Sequence, residues 1–362
     1  MTRTGVSWSF LCTVGLVLFA ELVTSQSNSC PRECVSLQEC PELAKLLRSP
    51  TLANIRKLQE ATCFISGTIP KVCCPVPLTT KPSLLPRNCG QGPSVRRVVG
   101  GNITSPGDYP WMAVFGYKEL GFDNIEYLCA GSVINERYIL TAAHCVTPEL
   151  LSVRPLEVIG LGDWDLKQLG RDCQKTATGE ICADPSVNVT YEKIIIHPNY
   201  NKRGYQSDDI ALVRLSKKID ISGVYIHPVC LPPQGLSARS AMSRPDLERP
   251  EAVVAGWGIT ENGTTSPLLL QVTVPHVEKT ACNSTFKGTI FEEQICMGGE
   301  IGKDSCGGDS GGPLVLGGPR GPPYLQIGVV SYGPTACGLR GIPGIYTDVT
   351  FYRNWIEETL QP

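Results

Sequence analysis

The chain is 362 residues long and contains 17 cysteines, 37 glycines and 29 prolines. Hydrophobic residues make up 42% and charged residues 18%, which allows a sizeable core and excludes wholesale disorder. A formal net charge of −2 excludes a nucleic-acid binder working through bulk positive charge, and the glycine and proline load excludes a helical bundle or coiled coil.

Residues 1–25 read as a secretory signal peptide. Arg3 supplies a positive n-region, Phe10 to Ala20 an apolar h-region, and Val23-Thr24-Ser25 a small-residue cleavage site. The apolar run is shorter than the ~20 residues of a membrane span, and no later run is long enough. The sequence therefore predicts a secreted chain cut after Ser25. Cys12 leaves with the signal, and an even number of cysteines in a secreted chain reads as a disulfide framework.

Six cysteines follow, Cys30, Cys34, Cys40, Cys63, Cys73 and Cys74, within a module spanning residues 26–74. So small a domain has little core, and three bridges would compensate. Between Cys40 and Cys63, Leu43, Leu46, Leu47, Leu52 and Ile55 fall at helical spacing interrupted by Pro50, which predicts one or two short helices. A zinc site is disfavoured, because no C-x2-C pair or histidine lies among these cysteines. Residues 75–97 form a linker, with four prolines in residues 75–88 predicting an extended, semi-rigid stretch. Residues 26–97 carry 10 Lys and Arg against 4 Asp and Glu, a balance of +6. The signal peptide is neutral, so the overall −2 leaves −8 for residues 98–362. From Val98 the pattern becomes short alternating β runs broken by turns, as in antiparallel barrels or sandwiches. A final helix is predicted with Thr350 as cap and Tyr352, Trp355, Ile356 and Leu360 as its apolar stripe.

Three segments carry chemistry: Leu140-Thr141-Ala142-Ala143-His144-Cys145, Asp208-Asp209-Ile210-Ala211-Leu212, and Asp304-Ser305-Cys306-Gly307-Gly308-Asp309-Ser310-Gly311-Gly312-Pro313. A serine hydroxyl needs a base to take its proton, and a base needs a group to orient it. The His, Asp, Ser chain order and all three motifs resemble the chymotrypsin–trypsin family of serine proteases over residues 98–362. The resemblance implies a mainly β fold, a double six-stranded antiparallel β-barrel with a C-terminal helix. It implies Ser310 as nucleophile, His144 as general base and acid, and Asp209 as the residue that fixes the His144 tautomer. Asp208 is read as a solvated neighbour of Asp209. The Gly308 and Ser310 N–H groups would form the oxyanion hole. Asp304 would lie at the floor of the S1 pocket, beside Ser305, with Gly333 and Gly344 in its walls, so that Arg or Lys is preferred at P1. No cofactor is required for this chemistry.

Arg96-Arg97-Val98-Val99-Gly100-Gly101 resembles the family's activation site. Cleavage after Arg97 would free the Val98 amino group to pair with Asp309, so the chain reads as a zymogen. The resemblance implies the bridges Cys129–Cys145, Cys282–Cys296 and Cys306–Cys337. Cys173 and Cys182 would close an added loop, which leaves Cys89 and Cys230 to tether the light chain to the heavy chain after cleavage.

The early module, with its adjacent Cys73-Cys74, resembles the clip domain of arthropod clip-domain serine proteases. That resemblance implies Cys30–Cys73, Cys34–Cys63 and Cys40–Cys74. It also implies a haemolymph cascade of innate immunity, either melanisation through prophenoloxidase or processing of Toll-pathway ligands. The expected partners are an upstream trypsin-like activator, a downstream zymogen or cytokine precursor, and a serpin inhibitor, with no nucleic acid and no membrane span. A developmental cascade, or a non-catalytic clip-protease homologue acting as a binding cofactor, is the alternative. Asn102, Asn188, Asn262 and Asn283 begin glycosylation sequons. Gly162-Asp163-Trp164-Asp165 lies where relatives begin a calcium loop, which makes Asp163 a candidate ligand for structural Ca²⁺.

Overall fold

The computed structural model describes residues 34–37, 40–48, 51–66, 69–74, 83–92, 102–168, 170–177, 179–243, 250–260, 263–287, 290–302, 305–318, 321–334 and 338–362. The signal peptide, Cys30, the Arg97–Val98 cleavage site, Asn262, Asp304 and Cys337 lie outside the described residues. The chain divides into two compact units, residues 1–82 and 83–362.

In the first unit, β1 (Val35–Ser36), β2 (Thr62–Ser66) and β3 (Ile69–Val72) form an antiparallel sheet in the order β1-β3-β2. Its core is small: Leu37, Cys40, Leu43 and Val72. Bridges Cys34–Cys63 and Cys40–Cys74 flank it, and Cys73 is also disulfide-bonded. A helix over Pro41–Ala44 tightens into a 3-10 turn over Lys45–Arg48, and a second helix covers Leu52–Ala61. The Thr51 hydroxyl caps that second helix, accepting a bond from the Asn54 N–H at 3.2 Å. The leucine spacing predicts one or two short helices, and both are present, although Leu52 is 84% exposed and the Leu52–Ala61 helix buries no residue. A unit of this size has too little interior to enclose both helices, and its bridges supply the constraint instead.

The second unit contains two closed antiparallel sheets. The first is built from β5 (Met112–Lys118), β6 (Ile125–Asn135), β7 (Tyr138–Thr141), β8 (Leu156–Leu161), β11 (Val187–Val189), β12 (Tyr191–Ile196) and β13 (Ala211–Leu215), in the order β11-β8-β5-β6-β7-β13-β12. Only Thr190 separates β11 from β12, so one continuous run borders β8 at one end and β13 at the other. The sheet thus closes as a six-stranded barrel. Between β8 and β11, the hairpin of β9 (Cys173–Thr176) and β10 (Gly179–Cys182) is bridged by Cys173–Cys182.

The second sheet contains β14 (Glu251–Gly256), β15 (Leu270–Val277), β16 (Gln294–Gly298), β17 (Pro313–Gly318), β18 (Gly321–Tyr332) and β19 (Pro343–Asp348). The order β14-β17-β18-β19-β16-β15 closes through a β14–β15 pairing, and the short β4 (Asn102–Ile103) adds to β15. Fully buried Trp111, Phe115, Tyr138 and Leu140 fill the first barrel's core, while Val274, Leu314, Ile327 and Tyr346 fill the second's.

The C-terminal helix covers Arg353–Thr359 and buries Ile356, with Tyr352 and Leu360 buried at its ends. Thr350 does not cap it. Its hydroxyl bonds Asp348 Oδ1 at 2.5 Å, and Tyr352 occupies the N-cap position.

Residues 83–92, within the predicted linker, lie as a strap on the second unit. Asn135 Nδ2 donates to the Leu84 carbonyl at 3.2 Å, and Leu84 and Leu85 pack against the first barrel's core. Gly90 donates to the Pro228 carbonyl at 2.7 Å and accepts from the Tyr324 N–H at 2.9 Å, beside the Cys89–Cys230 bridge. Gly90 has φ +62°, and a Cβ there would stand 2.4 Å from the Tyr324 carbonyl oxygen, so only glycine fits.

Candidate active site

The antiparallel pairing of β7 with β13 sets Thr141 opposite Ala211. The turn that follows β7, Ala143–Val146, therefore meets the residues that precede β13. His144 sits in that turn, and Asp209 lies two residues before β13. His144 Nδ1 is 2.8 Å from Asp209 Oδ2, and the His144 N–H donates to Asp209 Oδ1 at 2.9 Å. The Ser331 hydroxyl donates to Asp209 Oδ2 at 2.5 Å, and the Thr347 hydroxyl donates to the Asp209 carbonyl at 2.7 Å. Both come from the second barrel, so Asp209 is fixed from two sides. In the sequence, Ser331-Tyr332-Gly333 resembles a wall of the specificity pocket and does not point to Asp209.

Burial alone would disfavour the His144 imidazolium. The Asp209 charge and hydrogen bond outweigh it and hold the His144 pKa above the ordinary value. For Asp209, burial pushes up, but the His144 charge and the bonds from His144 and Ser331 bring its pKa below the ordinary value.

Ser310 lies three residues before β17 of the second barrel. The Ala130 N–H of β6 donates to its carbonyl at 2.7 Å, which ties the turn to the first barrel. Glycine surrounds it for steric reasons. Gly311 has φ +78°, and a Cβ there would lie 2.2 Å from Thr141 Oγ1. Gly308 has φ +99° with Gly258 Cα 3.0 Å from its Cβ position, which leaves the N–H of this segment approachable. Among the described residues, no hydrogen bond joins the Ser310 hydroxyl to His144, whose Nε2 lies 3.6 Å from Cys145 Sγ. Catalytic contacts of this kind tighten when substrate binds.

Among the residues expected to line the specificity pocket, Ser305 Oγ accepts from the Tyr346 hydroxyl at 3.0 Å. A Cβ on Gly333 would lie 3.6 Å from Gly344 Cα, so these two glycines face one another closely.

Asp309 points away from Ser310 into the second barrel. Its Oδ1 accepts from the Gly258 N–H and its Oδ2 from the Cys306 N–H, each at 2.9 Å. A Cβ on Gly256 would stand 2.0 Å from Asp309 Oδ1, so glycine there makes room for the carboxylate. Among the described residues no cation pairs with it. Burial, only partly offset by the two N–H bonds, pushes its pKa up to about 6. Because this folded-state value lies above the ordinary 3.8, the folded uncut chain binds the proton more tightly than the unfolded chain. Stability should therefore fall as pH rises from about 4 to about 6, by roughly 3 kcal/mol at 1.36 kcal/mol per pKa unit. Melting curves of the uncut chain across pH 4 to 7 check this. Asp309→Asn should flatten that part of the profile, and an unchanged slope would remove Asp309 as its source.

Asp208 is not the solvated neighbour that the sequence suggests. It is 3% exposed and has φ +54°, with its carboxylate bonded to Arg203 and Tyr352.

Asp163 lies beside Asp172 and Asp165. Burial, followed by the charges of these two acids, pushes its pKa up to about 6, and its Oδ1 is buried without a partner. Asp172 Oδ2 is taken by the Trp164 and Asp165 N–H groups, at 2.7 and 3.0 Å, and the three carboxylates do not converge as one set of metal-ligand atoms. The donor atoms that do converge among the described residues, around Cys129–Cys145 and Cys173–Cys182, use sulfurs committed to disulfides.

The remaining bridge among the described residues is Cys282–Cys296, and Cys306 is disulfide-bonded to a partner outside them. Of the sequon asparagines, Asn188 is exposed on β11 and Asn283 Oδ1 accepts the Ile290 N–H at 3.2 Å.

Two six-stranded barrels with a His–Asp pair and a glycine-fenced serine at their junction define a trypsin-like serine endopeptidase. The trypsin family model matches residues 98–356, and the model of the regulatory CLIP domain of proteinases matches residues 26–74. The chain belongs to the clip-domain serine proteases. It is 39% identical to Melanization protease 1 of Drosophila melanogaster, an alignment covering 95% of this chain and 94% of that protein. It is 34% identical to the Phenoloxidase-activating enzyme of Bombyx mori, covering 91% and 80%. It is also 34% identical to the Spaetzle-processing enzyme of Drosophila melanogaster, covering 94% and 91%. Among solved structures, the Drosophila Grass clip serine protease of the Toll pathway matches with a TM-score of 0.64 and 32% identity, covering 90% of this chain and 94% of that one. Trypsin-like proteases need no cofactor for catalysis.

Proposed function

We propose that the chain is a secreted protease zymogen, activated by cleavage after Arg97, that cuts protein substrates after Arg or Lys in an innate-immune cascade. The observation that carries this reading is the half-buried Asp309 carboxylate next to Ser310, held by two backbone N–H groups and by no cation among the described residues. Such a group calls for a cation, and cleavage after Arg97 would create one at the Val98 amino terminus. Their pairing would order the segment from Cys306 to Ser310 and complete the oxyanion donors at Gly308 and Ser310.

In the activated enzyme Ser310 attacks the scissile carbonyl and His144 takes its proton. Asp209, already bonded to Nδ1, stabilises the imidazolium as it forms. His144 then returns the proton to the leaving amine. Asp304 receives the P1 cation. The alignment over nearly the whole chain with a melanisation protease, a phenoloxidase activator and a Spaetzle-processing enzyme supports a place in melanisation or Toll signalling. The upstream partner is then a trypsin-like protease, the downstream partner a zymogen or cytokine precursor, and a serpin the inhibitor. Glycans at the sequon asparagines accompany the secretory route.

The test is to cut the secreted zymogen and assay arginine against phenylalanine amides, with Ser310→Ala as control. Preference for phenylalanine would refute Asp304 as the S1 acid, and no hydrolysis of either would favour a binding homologue.

Asp163, whose buried Oδ1 has no partner among the described residues, is proposed as a ligand of a structural Ca²⁺. Millimolar CaCl₂ is then expected to raise the melting temperature of the wild type and not of Asp163→Asn. An equal shift in both would exclude Asp163 as a ligand.

A further inference from the structure

Next to Asp209, the partly exposed Arg203 guanidinium meets two buried carboxylates that the triad chemistry does not use. Asp208 Oδ2 accepts from Arg203 Nε at 3.0 Å and Nη2 at 2.7 Å, and its Oδ1 accepts from the Tyr352 hydroxyl at 2.8 Å. Arg203 Nη2 also donates to Glu293 Oε1. Glu293 is fully buried just before β16, in the second barrel, and its Oε2 has no partner among the described residues. The guanidinium lies over the Phe291 ring, 5.4 Å from its centroid. One cation therefore holds two buried carboxylates, one from each barrel.

The loop that carries Arg203 is not relaxed. Asn201, Gln206 and Asp208 all have positive φ, at 57°, 51° and 54°, and none is glycine. Such conformations persist only where surrounding contacts over-determine them. Asp208 is joined by one peptide bond to Asp209, and its carbonyl accepts from the Ile210 N–H at 2.9 Å. The position of Asp208 thus sets the direction in which the Asp209 side chain leaves the backbone.

We propose that Arg203 is a positioning residue: by clamping Asp208 to Glu293 across the two barrels, it aims Asp209 at His144. Without the guanidinium, Asp208 keeps only the Tyr352 hydroxyl and the His197 ring 3.6 Å away, Glu293 is a buried acid without its cation, the left-handed loop relaxes, and Asp209 turns out of line with His144 Nδ1. A misplacement of about 1 Å at such a site costs on the order of 10²-fold in rate. The proposal rests on Asp209 serving as the triad acid.

The experiment uses the activated full-length protein with an arginine amide substrate, and reads kcat, KM and melting temperature. Arg203→Met is expected to lower kcat about 10- to 100-fold with KM within about twofold of wild type. Arg203→Lys, which keeps the charge, is expected to recover most of that loss. A kcat for Arg203→Met within threefold of wild type would overturn the proposal. So would a KM rise at unchanged kcat, which would make the 201–208 loop a substrate contact. Should Arg203→Met not fold, Asp208→Asn tests the same point, because it weakens the clamp while keeping an acceptor for Tyr352. A fall in kcat at constant KM is again expected, and its absence is again decisive. A wild type that stays inactive after cleavage would overturn the underlying triad reading as well. An active wild type with an equally active Arg203→Met would overturn the clamp alone.

Discussion

Asp209→Asn is expected to lower kcat on an arginine amide by about 10⁴-fold, with KM and melting temperature close to wild type. The variant has the same shape, so the loss isolates protonation. In the wild type, Asp209 accepts three bonds, from His144 Nδ1, the His144 N–H and the Ser331 hydroxyl. An asparagine presents one acceptor and one donor. With its oxygen toward the His144 N–H, its NH₂ faces Nδ1 and drives the ring proton to Nε2, the atom that must take the Ser310 proton. The charge that raises the His144 pKa is lost as well. Steady-state kinetics on the cut enzyme check this, and a loss below tenfold would remove Asp209 from its assigned role.

Arg97→Gln is expected to leave the chain uncut and on the order of 10²- to 10³-fold less active than the cut wild type, the scale of missing oxyanion donors. The physical reason lies in Asp309. Without a cation its carboxylate is held by two backbone N–H groups alone, at a pKa of about 6. Cleavage would exchange that strained burial for an ion pair, and the energy released would order the neighbouring segment. Treating both chains with a trypsin-like protease, sequencing the new N-terminus and assaying amidolysis provides the check. A wild type cut to begin at Val98 and still inactive, or an uncut variant with full activity, would sink the activation scheme.

These chemical motifs were legible because each is local. His144 beside Cys145, Asp209 before Ile210-Ala211-Leu212, and Ser310 among glycines are short strings whose residue types answer to the reaction. The barrel pattern was legible for a related reason, since alternation along a strand reports on a nearby buried face. What could not be read depended on distant partners. Asp208 is buried because Arg203 and Tyr352 meet it, and neither is signalled by the Asp208-Asp209 pair. Ser331 reads as a pocket wall, and only the approach of the second barrel directs its hydroxyl to Asp209. Thr350 carries a good cap residue's chemistry but spends its hydroxyl on Asp348. Leu52 and Ile55 keep helical periodicity without a core to meet, since periodicity specifies a face and not what covers it.

The Ser83–Gly92 strap has a consequence for how the protein must be made. The folding unit begins at residue 83, upstream of the proposed cut after Arg97. Proteolysis and folding thus divide the chain at different points, and the mature enzyme would be one folded body made of two segments joined by the Cys89–Cys230 bridge. A recombinant chain starting at Val98 would leave Cys230 with a free thiol and bare the apolar seat of Leu84 and Leu85. Synthesis as one precursor would then serve folding as well as restraint, because the segment severed by the cut is one that the catalytic domain packs against.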